Sequence, residues 1–155
     1  MIKGPIYFDF ASSTPVNEQV YEAMAPYFLS YFGNASSSTH MQGELASKAV
    51  VNAKSQISKL VNCKEDEVFF TSGSTESIKL AISQVFYNSL GTGNHIVTSK
   101  AEHKAVLDTC KDLEKIGAQV TYLDVDENGK IDMQALEQSI GKNTVLVVLM
   151  HVNNE

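Results

Sequence analysis

"IVTSKAEHKAVLDTCKDLEKIGAQVTYLD", Ile96 to Asp124, is the stretch that decides the fold class. Ile96 to Ser99 read as a short strand. Val106, Leu107, Cys110, Leu113 and Ile116 then recur at helical spacing, and Gly117 supplies the C-terminal stop. Val120 to Asp124 read as the next strand. Strand, helix and strand in succession predict parallel strands joined by a crossover helix.

The same alternation extends in both directions. Toward the N-terminus, Val68 to Thr71 read as a strand, followed by a helix from about Thr75 to Leu90. Before that comes a helix expected to bury Leu45, Ala49, Ala53, Ile57, Leu60 and Val61. "GNASSSTH" is a polar loop. An earlier helix has Thr14 as N-cap and Pro15 at its first position, and carries Val16, Val20, Met24, Tyr27, Phe28 and Tyr31. Ile6 to Phe10 read as a first strand. Toward the C-terminus, a short helix follows Asp132, and Val145 to Met150 form a last strand. "TVLVVLM" is apolar on both faces, as a strand covered by helices on both sides would be. The sum is an α/β architecture with a mostly parallel sheet flanked by helices.

Composition narrows the function. The chain has 155 residues, 43% of them hydrophobic and 19% charged, enough for one domain with a core or for a piece of something larger. Every one of the 12 basic residues is a lysine, against 18 acids and a formal charge of -6. With no basic stripe, nucleic acid is excluded as a partner. No apolar run reaches membrane-spanning length, and "MIKGPIYFDF" lacks the apolar segment of a secretory signal. Cys63 and Cys110 make no disulfide framework. A cytoplasmic protein is expected.

In a parallel sheet, ligands gather at the carboxyl ends of the strands. Ser72-Gly73-Ser74-Thr75 falls at one such end, where a helix begins. Gly73 permits close backbone approach, and the free amides and dipole of a helix start favour an anion. Two readings stand: Ser74 and Thr75 complete a phosphate cup, or one of them caps its own helix. Neither G-x-G-x-x-G nor G-x-x-x-x-G-K-[ST] is present, so a phosphate here would belong to another kind of ligand. His103 marks a second strand end, either as a solvated helix-start residue or as a site residue. His151, Asn153, Asn154 and Glu155 cluster at a third. "DVDENGKID", Asp124 to Asp132, imitates the opening of a calcium loop, but Ala135 stands where the bidentate glutamate belongs. It reads as an acidic strand-to-helix connection.

"IYFDFASSTPV", "FGNASSSTHMQG", "FFTSGSTES", "SKAEHKAVLD" and "MHVNNE", in this order and at these spacings, resemble the cysteine desulfurases. These are pyridoxal-phosphate enzymes of the class V aminotransferase group, and the likeness is strongest to the iron–sulfur cluster assembly type. It covers nearly all of this chain but less than half of a typical member. Ala35 replaces a common proline, and Ser77-Ile78 replace frequent asparagines. The resemblance implies the N-terminal part of a fold type I large domain over residues 14–155, with residues 1–13 joining the small domain. It implies that Gly73, Ser74 and Thr75 bind the cofactor phosphate. It also implies that His103 stacks on the pyridine ring and assists proton transfer, and that Asn154 bonds the phenolic oxygen.

The activity so implied takes sulfur from L-cysteine, leaving L-alanine and an enzyme persulfide, for iron–sulfur or thio-cofactor assembly. A homodimer and a scaffold or sulfur-acceptor protein are the implied partners. A selenocysteine lyase, a transaminase or a non-catalytic truncated module are the alternatives. The family's cofactor lysine, its pyridine aspartate and its nucleophilic cysteine match nothing within residues 1–155. Cys110 belongs to an apolar helical stripe and Cys63 to a helix end, so both read as structural. The chain also has no arginine to clamp a substrate carboxylate. By itself it is expected to be inactive.

Overall fold

The computed structural model describes Gly4 and residues 6–153, and the chain divides into two compact units, residues 1–70 and 71–155. Among the described residues the elements run α1 (Glu18–Leu29), α2 (Met41–Val61), α3 (Ser74–Asn88), β1 (His95–Ser99), α4 (Lys104–Glu114), β2 (Gln119–Leu123), α5 (Met133–Ser139) and β3 (Thr144–Val147). A 3-10 turn at Glu65–Glu67 follows α2.

The second unit carries the sheet. Its three strands are all parallel, in the order β2-β1-β3. The α/β parallel reading of residues 96–124 is thus borne out, with β1 pairing β2 from His95↔Gln119 to Ser99↔Leu123. Because the chain then returns to the other side of β1, that strand is hydrogen-bonded on both edges and deeply buried. Ile96, Val97 and Thr98 are each 0% exposed. At its amino end, His95 bonds Thr144 Oγ1 through Nδ1 (2.8 Å) and Thr121 Oγ1 through Nε2 (2.9 Å), sewing all three strands together.

Ile82 and Phe86 of α3 meet Ile96 of β1 and Val106, Cys110 and Leu113 of α4 in one apolar cluster. Burial of each such side chain contributes about 1.5–3 kcal/mol. The helical stripe ends earlier than its spacing suggests. Ile116 lies beyond α4 and is exposed, in the turn that Gly117 closes at φ 107. β3 is shorter than expected. Val148 still donates to the Val97 carbonyl at 2.9 Å, but residues 149–153 leave the ladder. Its residues are half-buried and Val147 is exposed, so the cover expected on both faces is incomplete. The helix after Asp132 is present as α5, with Asp132 accepting from the Gln134 amide.

Two expected strands are absent. Ile6 to Phe10 is irregular chain running into a turn, where the Ser12 and Ser13 amides bond the Asp9 carbonyl. Val68 to Thr71 includes extended geometry at Val68 (φ -94, ψ 119) but forms no ladder. Strand-forming side chains make a strand only where a neighbour supplies the hydrogen bonds, and among the described residues none does.

The first unit departs from its sequence reading in another way. Asn17, not Thr14, caps α1, accepting from Gln19 (2.9 Å) and Val20 (3.4 Å). The side-chain acceptor two residues ahead of the first free amide outweighs the proline signal. α1 buries no residue, so Tyr21, Tyr27 and Phe28, and Tyr31 beyond its end, are all exposed. On α2 the buried positions are Gly43, Ala46 and Ser58. Leu45, Ala49 and Ala53 are half-buried, while Ile57, Leu60 and Val61 are exposed, contrary to the expected buried face. The Glu65–Glu67 turn packs along α2 and the 33–37 loop meets its first turn at Gln42 and Gly43, and neither covers the stripe at Ile57, Leu60 and Val61.

The cysteines provide a direct check. Cys110 is 0% exposed, and burial, with Glu114 and Glu102 nearby, pushes its thiol up to about 11. Cys63 is half-buried at the end of α2 and donates to the Lys64 carbonyl. A disulfide reagent at mildly alkaline pH is expected to titrate Cys63 in the folded chain and Cys110 only after denaturation. Since the fold favours the neutral Cys110 thiol, this contribution to stability is complete below the ordinary thiol range and is lost as pH rises toward 11.

Candidate functional site

The start of α3 is an open turn. Gly73 is its N-cap at φ 153 and ψ -176, a backbone region essentially reserved for glycine, and no heavy atom lies within 4 Å of where a Cβ would be. No side chain caps the helix. Ser74 and Thr75 occupy its first helical positions, so the reading in which one of them is the cap is overturned. Among the described residues no acceptor meets the amides of Ser74, Thr75 or Glu76. Three free N–H groups at the positive end of a fifteen-residue helix, with exposed hydroxyls beside them, form a cup suited to a phosphate.

What holds the turn open was not foreseen. Glu76 reaches back so that its Oε2 accepts from both the amide and the hydroxyl of Ser72, each at 2.6 Å. Thr71 and Ser77 share a hydroxyl–hydroxyl bond of 2.7 Å, and Ser77 also donates to the Gly73 carbonyl. These bonds fix the loop from behind. The signal was present as an acid three residues after Gly73, the spacing at which a first-turn glutamate reaches back to the loop before its helix.

At the exit of β1, His103 is the exposed N-cap of α4, and its Nδ1 accepts from the Ala105 amide at 3.0 Å. That bond engages Nδ1 and leaves Nε2 as the second ring nitrogen of an exposed residue. At the exit of β3, the Asn153 side chain donates to the Ala101 carbonyl (2.8 Å), and the Met150 amide donates to Glu102 (2.5 Å). Between these loops lies a cleft of about 390 Å³ with Ala101, Glu102, Lys130, Met150, His151 and Asn153 in its wall. His151 is exposed, and Asn154 and Glu155 lie outside the described residues. The site residues Gly73, Ser74, Thr75 and His103 therefore stand at the starts of α3 and α4, as caps or first-turn residues, and the two helices pack on each other. Asp126 of the calcium-like segment turns its carboxylate onto the Asn128 and Lys130 amides of its own turn.

Parallel strands, an open helix start at one loop and a fixed histidine at another define an α/β protein with a candidate site for an anionic ligand. The chain belongs to the class-V aminotransferase family, which matches residues 6–155. It is 50% identical over 158 residues to "Cysteine desulfurase IscS" of Shewanella sp. (strain ANA-3), covering 99% of this chain and 39% of that protein. The protein of the same name in Colwellia psychrerythraea (strain 34H) is 49% identical over the same shares. The chain thus spans about two-fifths of the length of the curated relatives it matches. Among solved structures, a NifS-like protein aligns with a TM-score of 0.88 at 34% identity, covering 93% of this chain and 39% of that one. A structure described as SspA in complex with cysteine aligns with the same score at 42% identity, over 96% and 43%.

The turn behind the cup has a defined pH response. The two Ser72 bonds hold the Glu76 carboxyl below its ordinary 4.5. A depressed acid stabilises above its unfolded value and loses that contribution as pH falls through the folded one. Protection of the Ser72 amide from hydrogen exchange is expected to persist at neutral pH and to fall only in acid below the usual carboxylate range. Glu76→Gln should remove that acid step, as read by NMR-detected exchange.

Proposed function

We propose that this chain is the N-terminal part of a cysteine desulfurase that depends on pyridoxal 5'-phosphate. The observation that carries the reading is the open α3 start at Gly73, Ser74 and Thr75, in a chain about half identical over its length to proteins named IscS. The cofactor's phosphate would be held by the free amides of that turn and by the Ser74 and Thr75 hydroxyls. The His103 ring, fixed through Nδ1, would stack on the pyridine and pass a proton at Nε2. Asn154 would bond the phenolic oxygen. When bound, the cofactor supplies an electron sink for bond cleavage at the amino-acid substrate.

The substrate on this reading is L-cysteine, and the products are L-alanine and a persulfide sulfur passed to an iron–sulfur scaffold or another acceptor protein. The cysteine named in the SspA structure supports that substrate class. The protein would work in the cytoplasm; no helix among the described residues is long and apolar enough to cross a membrane. Residues 14–155 would belong to the cofactor-binding domain, and residues 1–13 would join the small domain. The exposed aromatic face of α1 and its exit, Tyr21, Tyr27, Phe28 and Tyr31, suits pairing with a second copy.

Two experiments bear on this reading. In the full-length protein, Ser74→Ala with Thr75→Ala is expected to weaken cofactor binding by about 10-fold or more, since hydrogen bonds to a charged group are lost while the backbone amides remain. Unchanged affinity would overturn the cup. The 155-residue chain alone is expected to release no sulfide catalytically from cysteine. Lys100 is paired with Asp124 at 2.6 Å, Lys115 with Asp112 at 2.7 Å, and the Lys54 ammonium lies 5.7 Å from the centre of the Phe69 ring. Sulfide turnover with a reducible lysine adduct inside residues 1–155 would overturn that expectation.

A further inference from the structure

We infer that Glu102 is a positioning residue for the cofactor site, holding the loop that carries His103 against the loop that leads to Asn154. The inference rests on the functional reading above. Glu102 is only 8% exposed. A carboxylate is costly to bury unless its oxygens are bonded, and among the described residues the Met150 amide supplies a bond of 2.5 Å to Oε1. Its neighbour His103 faces solvent and caps α4. Adjacent residues therefore divide the labour, one turned inward to hold and one turned outward to face a ligand.

The location makes the contact matter. β1 and β3 are adjacent and parallel, so their exit loops run side by side, but their backbone ladder ends at the Val148–Val97 bond. Past that point the two loops are joined by bonds from Met150 to Glu102 and from Asn153 to Ala101. On its other side the β1 exit is fixed to β2 by the Lys100 amide on the Leu123 carbonyl and by the Lys100–Asp124 ion pair. The His103 loop is thus anchored toward β2 by a backbone bond and an ion pair and toward β3 by bonds between side chain and backbone. Glu102 is the buried member of that second anchor. Sequence reasoning passed over it because an acid before a helix start ordinarily reads as a solvated first-turn charge.

The test uses the full-length protein with three variants and two readouts. Glu102→Ala removes the acceptor. Glu102→Gln keeps the length and an amide oxygen that can still accept from Met150. Glu102→Asp keeps the charge but withdraws it by one methylene. Exchange of the Met150 amide is expected to quicken in the Ala and Asp variants and to stay slow in Gln. In the cofactor-loaded protein, the Ala and Asp variants should shift the absorption band of the bound cofactor and lower kcat/KM by roughly 10- to 100-fold, with Gln restoring most of both. Unchanged Met150 exchange in Glu102→Ala overturns the tie. Faster exchange with an unaltered cofactor band and unaltered kinetics reduces Glu102 to a structural part and overturns the positioning role. If Glu102→Ala does not fold, the Asp and Gln pair decides by the same readouts. A wild-type protein that binds no cofactor would show as such in the control, overturning the functional reading and with it any positioning role.

Discussion

Parallel pairing of β1 on both edges is the constraint from which the rest of the second unit follows. A strand bonded on both sides satisfies its backbone groups without water, so Ile96, Val97 and Thr98 can be excluded from solvent completely. Parallel pairing also brings the carboxyl ends of neighbouring strands to one edge of the sheet. His95 binds both flanking strands at the opposite end, which fixes their register where the chain enters. With the entry fixed and the centre buried, the exit loops emerge in a set order. The site is built from those loops and from the helices that follow them.

Around the starts of α3 and α4, two acidic side chains bind backbone amides. Glu76 takes the Ser72 amide and hydroxyl; Glu102 takes the Met150 amide. A carboxylate in the first turn is itself favoured by the helix dipole, and one left unbonded could also fold onto the free amides. The Glu76 bonds engage its oxygens with Ser72, which leaves the amides of Ser74 and Thr75 unoccupied while the acid holds the turn in shape. Gly73 completes the arrangement, since no other residue enters its backbone region without strain.

The strand–helix–strand core was legible because two periodicities, short apolar runs and a helical stripe, change cleanly at His103 and Gly117. The turn at Gly73, Ser74 and Thr75 was legible as a helix start but not in its role, because glycine and small hydroxyls there serve equally as a cap or as an anion cup. The Val68 to Thr71 and Ile6 to Phe10 strands were misread for a common physical reason: side-chain preference is local, whereas a strand needs a partner at a distance. The exposed Leu60 and Val61 follow the same logic, since periodicity reports which face wants cover and not whether cover is present. Glu76 and Glu102 escaped notice because charge alone does not reveal which backbone amide a carboxylate will reach.

The two units differ most in how they satisfy their apolar residues. In the second, α3 and α4 close over Ile96 and leave Phe86 and Cys110 without solvent contact. In the first, a helix of 12 residues buries nothing, and α2 over 21 residues buries only Gly43, Ala46 and Ser58. Isolated helices of such lengths draw little stability from propensity and depend on packing of an apolar face. Tyr21, Phe28, Leu60 and Val61 lie outside any core in this chain, yet their spacing is that of residues meant for one. That imbalance is the physical reason to expect added surface over the first unit, from the remainder of a longer chain or from a second copy. The site-bearing unit needs no such help to shape its cup, because the bonds that hold Ser72, Gly73 and Ser77 in place all arise within residues 71–77.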